Sequence, residues 1–195
     1  MVKFFKFKYI ENNKIYTEDW FSHNLPIWNQ IVLPHLQKIN FPMVLEIGAF
    51  EGRASSWFLE SHAKLKITVI DPWNYTAGAS DSTYKRFLSN TKMHRKRVKV
   101  LKTCSKDALG SLPLDAYDVV YIDGEHSSAS VLHDAVGAFN CCKLGGLIIF
   151  DDYLGGDLSI NYPKPAIDFF EEAYGNKILR ISDAYQRVYK KMENL

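Results

Sequence analysis

The sequence predicts an α/β protein, a mostly parallel β-sheet with helices on both faces. Three observations carry that prediction. Short, nearly continuous apolar runs recur from Met43 onward, as in strands buried on both sides. Stretches with helical spacing separate the runs and are long enough to serve as crossovers between parallel strands. Several runs end abruptly on glycine or aspartate, residues that turn a chain out of a strand.

In chain order, the opening MVKFFKFKYI is interrupted by Lys3, Lys6 and Lys8, so it lacks the uninterrupted apolar core of a secretory signal. Its alternating Phe and Lys suit a short edge strand or a segment lying across the surface, with a weak membrane-surface contact as a further alternative. Leu25, Trp28, Ile31, Val32 and Leu36 have helical spacing, with Pro26 tolerated in a first turn, while Pro34 argues against one undisturbed helix. Residues 1–41 therefore read as an aromatic-rich helical flank or lid, and residues 42–195 as the main domain.

That domain begins with a strand from Met43 to Ile47, stopped by Gly48, and a helix from Arg53 to Ser61 with Trp57 and Phe58 able to face the sheet. A strand from Lys66 to Ile70 ends at Asp71-Pro72. A helix follows from Ser80 to Asn90, then a strand from Val98 to Leu101 and a short turn or helix from Ser105. The strand from Tyr117 to Ile122 ends at Asp123-Gly124. Val131, Leu132, Ala135, Val136 and Phe139 mark one face of the next helix, and Gly145-Gly146 turns it into a strand from Leu147 to Phe150, followed by Asp151-Asp152. A helix near Ala166 to Tyr174 stops at Gly175-Asn176, and the last section forms a hairpin across Ser182-Asp183.

Composition narrows the functional classes. The 195 residues suffice for one substantial core, and 47% hydrophobic with 24% charged residues excludes a disordered chain. Three cysteines, Cys104, Cys141 and Cys142, form no CxxC pair, which fits a reducing compartment and a cytoplasmic location. No segment has the length of a membrane span. The basic run of Lys85, Arg86, Lys92, Arg95, Lys96, Arg97, Lys99 and Lys102 would attract phosphates. The net charge is only +2, however, and no recognition module or NPPY-like motif accompanies the run, so it reads as a solvated helix and loop.

The first chemical signal is Glu46-Ile47-Gly48-Ala49-Phe50-Glu51-Gly52. Glycine at the carboxyl end of the first strand permits a tight turn and close ligand approach, and Gly52 lets the next helix start near the sheet. Asp71, at the end of the second strand, has the spacing at which an acid binds ribose hydroxyls. The segment has neither GxxxxGK[ST] nor the three-glycine GxGxxG turn, so a nucleoside cofactor without phosphates fits better than ATP or NAD. The second signal is Asp123, Asp151 and Asp152, which adjacent parallel strands would bring together. Such carboxylates repel one another unless solvated, protonated or neutralised by a cation. Both solvated capping acids and a cation site remain open from this pattern.

LEIGAFEG and VIDPW resemble the first two motifs of the class I S-adenosylmethionine-dependent methyltransferases. The resemblance implies a Rossmann-like, seven-stranded sheet with an antiparallel C-terminal strand. It also implies cofactor contacts from Glu46, Gly48, Ala49 and Gly52, a ribose contact from Asp71, and adenine contacts from Trp73, Cys104 and Ser105, with Asp123 beside the donor. A packed aromatic is the alternative for Trp73. YIDGEHSSASVLHDAVGAF with GGLIIFDDY is similar to the metal-dependent small-molecule O-methyltransferases, including the catechol and macrolide-sugar types. In that family, Asp123, Asp151 and Asp152 would hold magnesium or another divalent cation, although the catechol-type pattern often ends in Asp-Asn. His126 stands where the catechol types carry lysine, and a neutral imidazole would serve as base toward a metal-bound hydroxyl. His133 reads as a surface residue, and His23 as either a substrate-side gate or a structural residue. The expected function is methyl transfer to a small hydroxylated acceptor such as a sugar or natural product. A nucleic-acid methyltransferase and a non-catalytic cofactor-binding protein are the alternatives, and a homodimer through the flank or a sheet edge is compatible with either.

Overall fold

The computed structural model describes residues 9–11, 13–74, 80–155 and 162–194. Two short strands, β1 (Tyr9–Glu11) and β2 (Lys14–Tyr16), pair antiparallel as a separate ribbon. The alternating Phe and Lys read as an edge strand or surface segment fall in residues 1–8, outside the described residues.

A helical stretch follows: a 3-10 turn at Ser22–Asn24, α1 (Leu25–Ile27), a π turn at Trp28–Val32 and α2 (Leu33–Gln37). The Leu33 N–H donates to the Trp28 carbonyl, five residues back instead of four. This widened turn comes directly before Pro34, which has no N–H to give, so the helical path continues past the proline without an ordinary α-turn there.

The main domain alternates β3 (Met43–Ile47), α3 (Arg53–Ser61), β4 (Lys66–Ile70), α4 (Ser80–Thr91), β5 (Val98–Leu101), α5 (Ser105–Ala108), β6 (Tyr117–Ile122), α6 (Ser128–Cys141), β7 (Cys142–Phe150), α7 (Pro163–Tyr174), β8 (Ile178–Asp183) and β9 (Arg187–Lys191). The seven-stranded sheet has the order β5-β4-β3-β6-β7-β9-β8. Strands β3 to β7 are parallel, and β9 is antiparallel to both β7 and β8.

Alternation along the strands sends side chains to two cores. Leu45, Ile47, Val120, Ile122, Ile148 and Phe150 meet α6 and α7 on one face. Val44, Val119, Tyr121, Leu147 and Ile149 meet Trp28, Val32, Leu36, Phe58 and Phe87 on the other. Among the described residues no helix is long and apolar enough to cross a membrane.

Three local expectations are corrected. Strand β7 starts at Cys142, not Leu147: Cys142 already pairs with Tyr117, and Gly145 at φ 80° lies within an irregular stretch before Leu147 pairs with Val119. The C-terminal turn falls at residues 184–186, because Ser182 and Asp183 are strand residues paired with Val188 and Arg187, with a register shift after Arg180. The buried face of α6 carries Val131, Ala135, Ala138 and Phe139, while Val136 is 39% exposed, since its position rotates it to the rim of that face.

Candidate active site

The sheet ladder runs on past the carboxyl ends of the central strands. Gly48 N–H donates to Ile70 O (2.9 Å), Asp123 N–H to Ile47 O (2.8 Å) and Asp151 N–H to Ile122 O (3.0 Å). These bonds set Gly48, Asp71, Asp123 and Asp151 along one end of the sheet, the end where open α/β sheets bind ligands. Gly48 has φ 83°, and a Cβ there would stand 1.9 Å from the Asp123 carbonyl oxygen. Gly52, at φ 79°, starts α3, and its missing side chain leaves room for the Phe87 ring. The glycine spacing thus produces a narrow loop pressed against the turn after β6.

Asp71 is buried and accepts the N–H groups of Ala49 (2.8 Å), Phe50 (3.0 Å) and Trp73 (2.7 Å). It therefore fixes the glycine turn directly. Trp73 is buried against Tyr84 and Phe87, and its indole N–H donates to Phe50 O at 2.8 Å. Half-buried Cys104 precedes α5, which begins at Ser105. Glu46 is buried beneath the turn and accepts the Ser55 hydroxyl. Burial, reinforced by the Asp123 and Asp71 charges, pushes its carboxyl up to about 8, so it is largely neutral near pH 7.

Beside this turn, Asp123, His126 and Asp152 bring one ligand atom each within 4.8 Å of one another. His126 Nε2 lies 3.1 Å from Asp152 Oδ2 and 3.9 Å from Asp123 Oδ1. The Asp123 carboxylate, aided by Asp152 and Asp151, raises the imidazole pKa against the opposing effect of burial. About a third of the Asp123 side chain is open (35%), yet dense surroundings and the Asp151 charge push its carboxyl to about 7.

Asp151 does not join that group. It is buried, accepts the Tyr121 hydroxyl and the Asn24 amide (3.4 Å) on Oδ2, and holds the Asp152 N–H (2.8 Å) on Oδ1. Asp152 takes a left-handed φ of 54°, which turns its side chain away from its neighbour's. The Tyr121 hydroxyl also lies 3.0 Å from Asp123 Oδ2, and its single hydrogen cannot serve both acids at full strength. Tyr185 donates to Asp152, and its ring meets His23 edge-on at 4.8 Å. His133, half exposed on α6, pairs with Asp134.

The N-terminal segment reaches the same end of the sheet. Glu51, buried in the glycine turn, accepts the Thr17 N–H (2.6 Å), the Thr17 hydroxyl (2.7 Å) and the Arg86 guanidinium. Arg53 binds Asp19 at 2.8 Å, and Trp20 packs on Phe50 at 4.8 Å. Fully buried Trp28 donates to Gln186 Oε1 at 2.6 Å, and the Gln186 amide faces Asp151 without reaching hydrogen-bonding distance.

Sequence reasoning named none of Asn24, Glu51, Tyr121, Tyr185 and Gln186 for the site. Tyr121 carries a readable signal, since it lies two residues before Asp123 on the same strand face. Asn24 and Gln186 carry none.

Residues 45–153 match the profile of a family described as "Methyltransferase domain". A curated relative, the uncharacterized protein R132 of Acanthamoeba polyphaga mimivirus, is 29% identical over 114 residues, 56% of this chain and 50% of that protein. The chain thus spans about half the length of the curated relative it matches. Among solved structures, an O-methyltransferase from Bacillus cereus in complex with SAH superposes with TM-score 0.66 and 16% identity, over 90% of this chain and 83% of that one. The O-methyltransferase TomG from Streptomyces achromogenes, involved in tomaymycin synthesis and in complex with SAM, gives 0.64 and 16% over 83% and 77%. SAH-bound methyltransferase PaMTH1 from Podospora anserina gives 0.63 and 16% over 89% and 80%. At these identities the likeness carries the fold.

Proposed function

The chain belongs to the methyltransferase domain family, and from that premise we propose that it is an S-adenosylmethionine-dependent enzyme that methylates a hydroxyl oxygen of a small acceptor, such as a sugar or natural product, with help from a divalent cation. The observation that carries this reading is the backbone contact between Gly48 and Asp123. It sets the glycine turn, which suits the methionine part of the cofactor, directly beside the Asp123–His126–Asp152 group.

The bound cofactor supplies a methyl group made electrophilic by its sulfonium. Glu46, Gly48, Ala49 and Gly52 would border its methionine portion, Asp71 its ribose, and the Trp73 and Cys104-Ser105 turns its adenine end. Magnesium or a similar ion, when bound, lowers the pKa of a coordinated hydroxyl. The two carboxylates of this group offer hard oxygen ligands of the kind that suit such an ion. Asp123 and Asp152 would hold it, and Asp151 could join only by loosening its bond from Tyr121.

His126 would accept the acceptor's proton, a role supported by its contact with Asp152 and by the Tyr185 hydroxyl on the other Asp152 oxygen. With the cofactor bound, the acceptor oxygen would take its methyl group, and the products would be S-adenosylhomocysteine and a methyl ether. The segment from Thr17 to Asn24 would act as a flank that excludes water.

The His126–Asp152 contact of 3.1 Å also favours a second reading, a cation-free base pair performing the same transfer. Chelation separates the two readings: turnover lost with EDTA and restored by magnesium supports the cation, and unchanged turnover supports the base pair.

The main test follows S-adenosylhomocysteine release against a panel of sugar, phenol and polyketide hydroxyls. Asp123→Ala should abolish release while calorimetric cofactor binding persists. Failure of the wild-type chain to bind the cofactor would overturn the reading, and undiminished turnover in Asp123→Ala would overturn that residue's role.

A further inference from the structure

The charge of this chain is unevenly spread. Residues 82–106 hold nine Lys and Arg and no Asp or Glu, whereas the rest of the sequence holds 15 against 22. At the centre of this stretch, the 3-10 turn Lys92–Arg97 links α4 to β5, the strand at one edge of the sheet.

In a 3-10 turn, side chains three apart stack in columns. The His94/Arg97 column faces inward: Arg97 donates to the carbonyls of Leu59 (2.7 Å), His62 (3.0 Å) and Leu65 (3.0 Å), and bonds His94 at 2.8 Å. The other two columns, Lys92/Arg95 and Met93/Lys96, face solvent. Met93 is 81% exposed, and exposed Lys99 continues the basic face along the edge strand. None of Lys92, Arg95, Lys96 and Lys99 has an ion-pair partner among the described residues. One arginine of the turn therefore anchors it, while the remaining cations surround an apolar side chain held out into water.

We propose that this face, Lys92, Met93, Arg95, Lys96 and Lys99, docks the protein on an anionic lipid bilayer. The cations would meet acidic headgroups, and Met93 would enter the interfacial layer, giving the two signals that stable peripheral binding needs. The exposed thioether favours lipid over nucleic acid, for which it has no partner. Within residues 82–106 the aromatic rings are also occupied: Phe87 is buried, and Tyr84 is covered by Lys102 at 4.4 Å, leaving no stacking platform for bases. The turn precedes β5 and so lies at the amino end of the parallel strands, opposite the glycine turn. Bilayer contact there leaves the carboxyl end of the sheet open.

Vesicle co-sedimentation tests the proposal. The wild-type chain should bind phosphatidylcholine vesicles containing phosphatidylserine and not pure phosphatidylcholine, with binding reduced in high salt. Each cation near the membrane surface strengthens binding about fivefold, so K92A/R95A/K96A should weaken it about a hundredfold. Met93→Ser should weaken it further at every salt concentration, and Met93→Trp should show a blue-shifted emission on vesicles. Matching circular dichroism and melting curves for the variants exclude unfolding as the cause. No binding to the acidic vesicles, or binding unaffected by K92A/R95A/K96A, overturns the proposal. So does retention of an RNA oligonucleotide that the triple substitution abolishes while vesicles are ignored, which would make the face a polynucleotide surface.

Discussion

Gly48 and Asp123 meet backbone to backbone: a methyl group on Gly48 would stand 1.9 Å from the Asp123 carbonyl oxygen, with a second clash at 2.8 Å from Gly124 Cα. The neighbour is main chain, so no side chain can swing aside. Gly48→Ala should cost roughly 2–5 kcal/mol, combining overpacking with a strained positive φ. Thermal melting and titration with S-adenosylhomocysteine would check it, with both stability and affinity expected to fall. A normal melt would show that the two loops can slide apart.

His126 touches two carboxylates and is the only basic side chain in the group formed with Asp123 and Asp152. His126→Ala should lower kcat about 10²- to 10⁴-fold, the usual range for loss of a general base. Cofactor affinity should stay within error, because the glycine turn is held by Asp71 and not by His126. Equal losses in turnover and cofactor binding would place His126 in the binding scaffold instead.

Glu46 gives a pH signature. Its folded pKa of about 8 lies above the ordinary carboxylate value of 4.5. The neutral acid is the form the fold prefers, so its relative stabilisation is complete below about pH 4.5 and is lost as pH rises through about 8. Between pH 6 and pH 9 the wild-type chain should therefore lose stability relative to Glu46→Gln by a few kcal/mol, about 1.4 kcal/mol for each unit of pKa displacement. Urea midpoints of both proteins at those two pH values decide it, and parallel behaviour would mean that Glu46 ionises freely.

Trp28 and Gln186 form a buried pair whose amide nitrogen has no hydrogen-bond partner among the described residues. Trp28→Phe strands the Gln186 oxygen, and Gln186→Leu strands the indole N–H, so each should cost about 1–3 kcal/mol. The double substitution removes both polar groups and should cost less than the sum. A coupling energy near zero in the double-mutant cycle would show that the contact contributes nothing.

Glu51→Ala releases Thr17 and Arg86 together. Arg86 is partly exposed and can turn to water, so the expected loss is about 1–3 kcal/mol rather than that of a fully buried broken pair. Limited proteolysis should cut the variant faster between residues 17 and 24, and an unchanged cleavage rate would mean that other contacts hold the segment.

The legible part of this molecule is the part with local physics. The bounds of β3, β4 and β6 follow from largely apolar runs stopped by Gly48, Asp71 or Asp123, because a doubly buried strand needs apolar side chains on both faces. Gly145 misleads, because glycine next to glycine reads as a turn, yet β7 passes through it as an irregular strand. Ser182-Asp183 has turn chemistry but remains strand, since the register shift after Arg180 absorbs the mismatch. The acids after β6 and β7 could be paired from topology, but the separation of Asp151 from Asp152 could not. It depends on Tyr121, and on Asn24, 127 residues away, and no periodicity records contacts of that kind.

The position of β9 has a consequence for assembly. Strand β9 follows β8 in the chain yet lies between β8 and β7 in the sheet. During synthesis β8 emerges first and has no neighbour to join, while the outer edge of β7 stays exposed. Residues 187–191 must then enter that gap and pair on both sides. A chain lacking residues 187–191 would therefore leave the outer edge of β7 unpaired and β8 without its partner strand, so these five residues close the sheet.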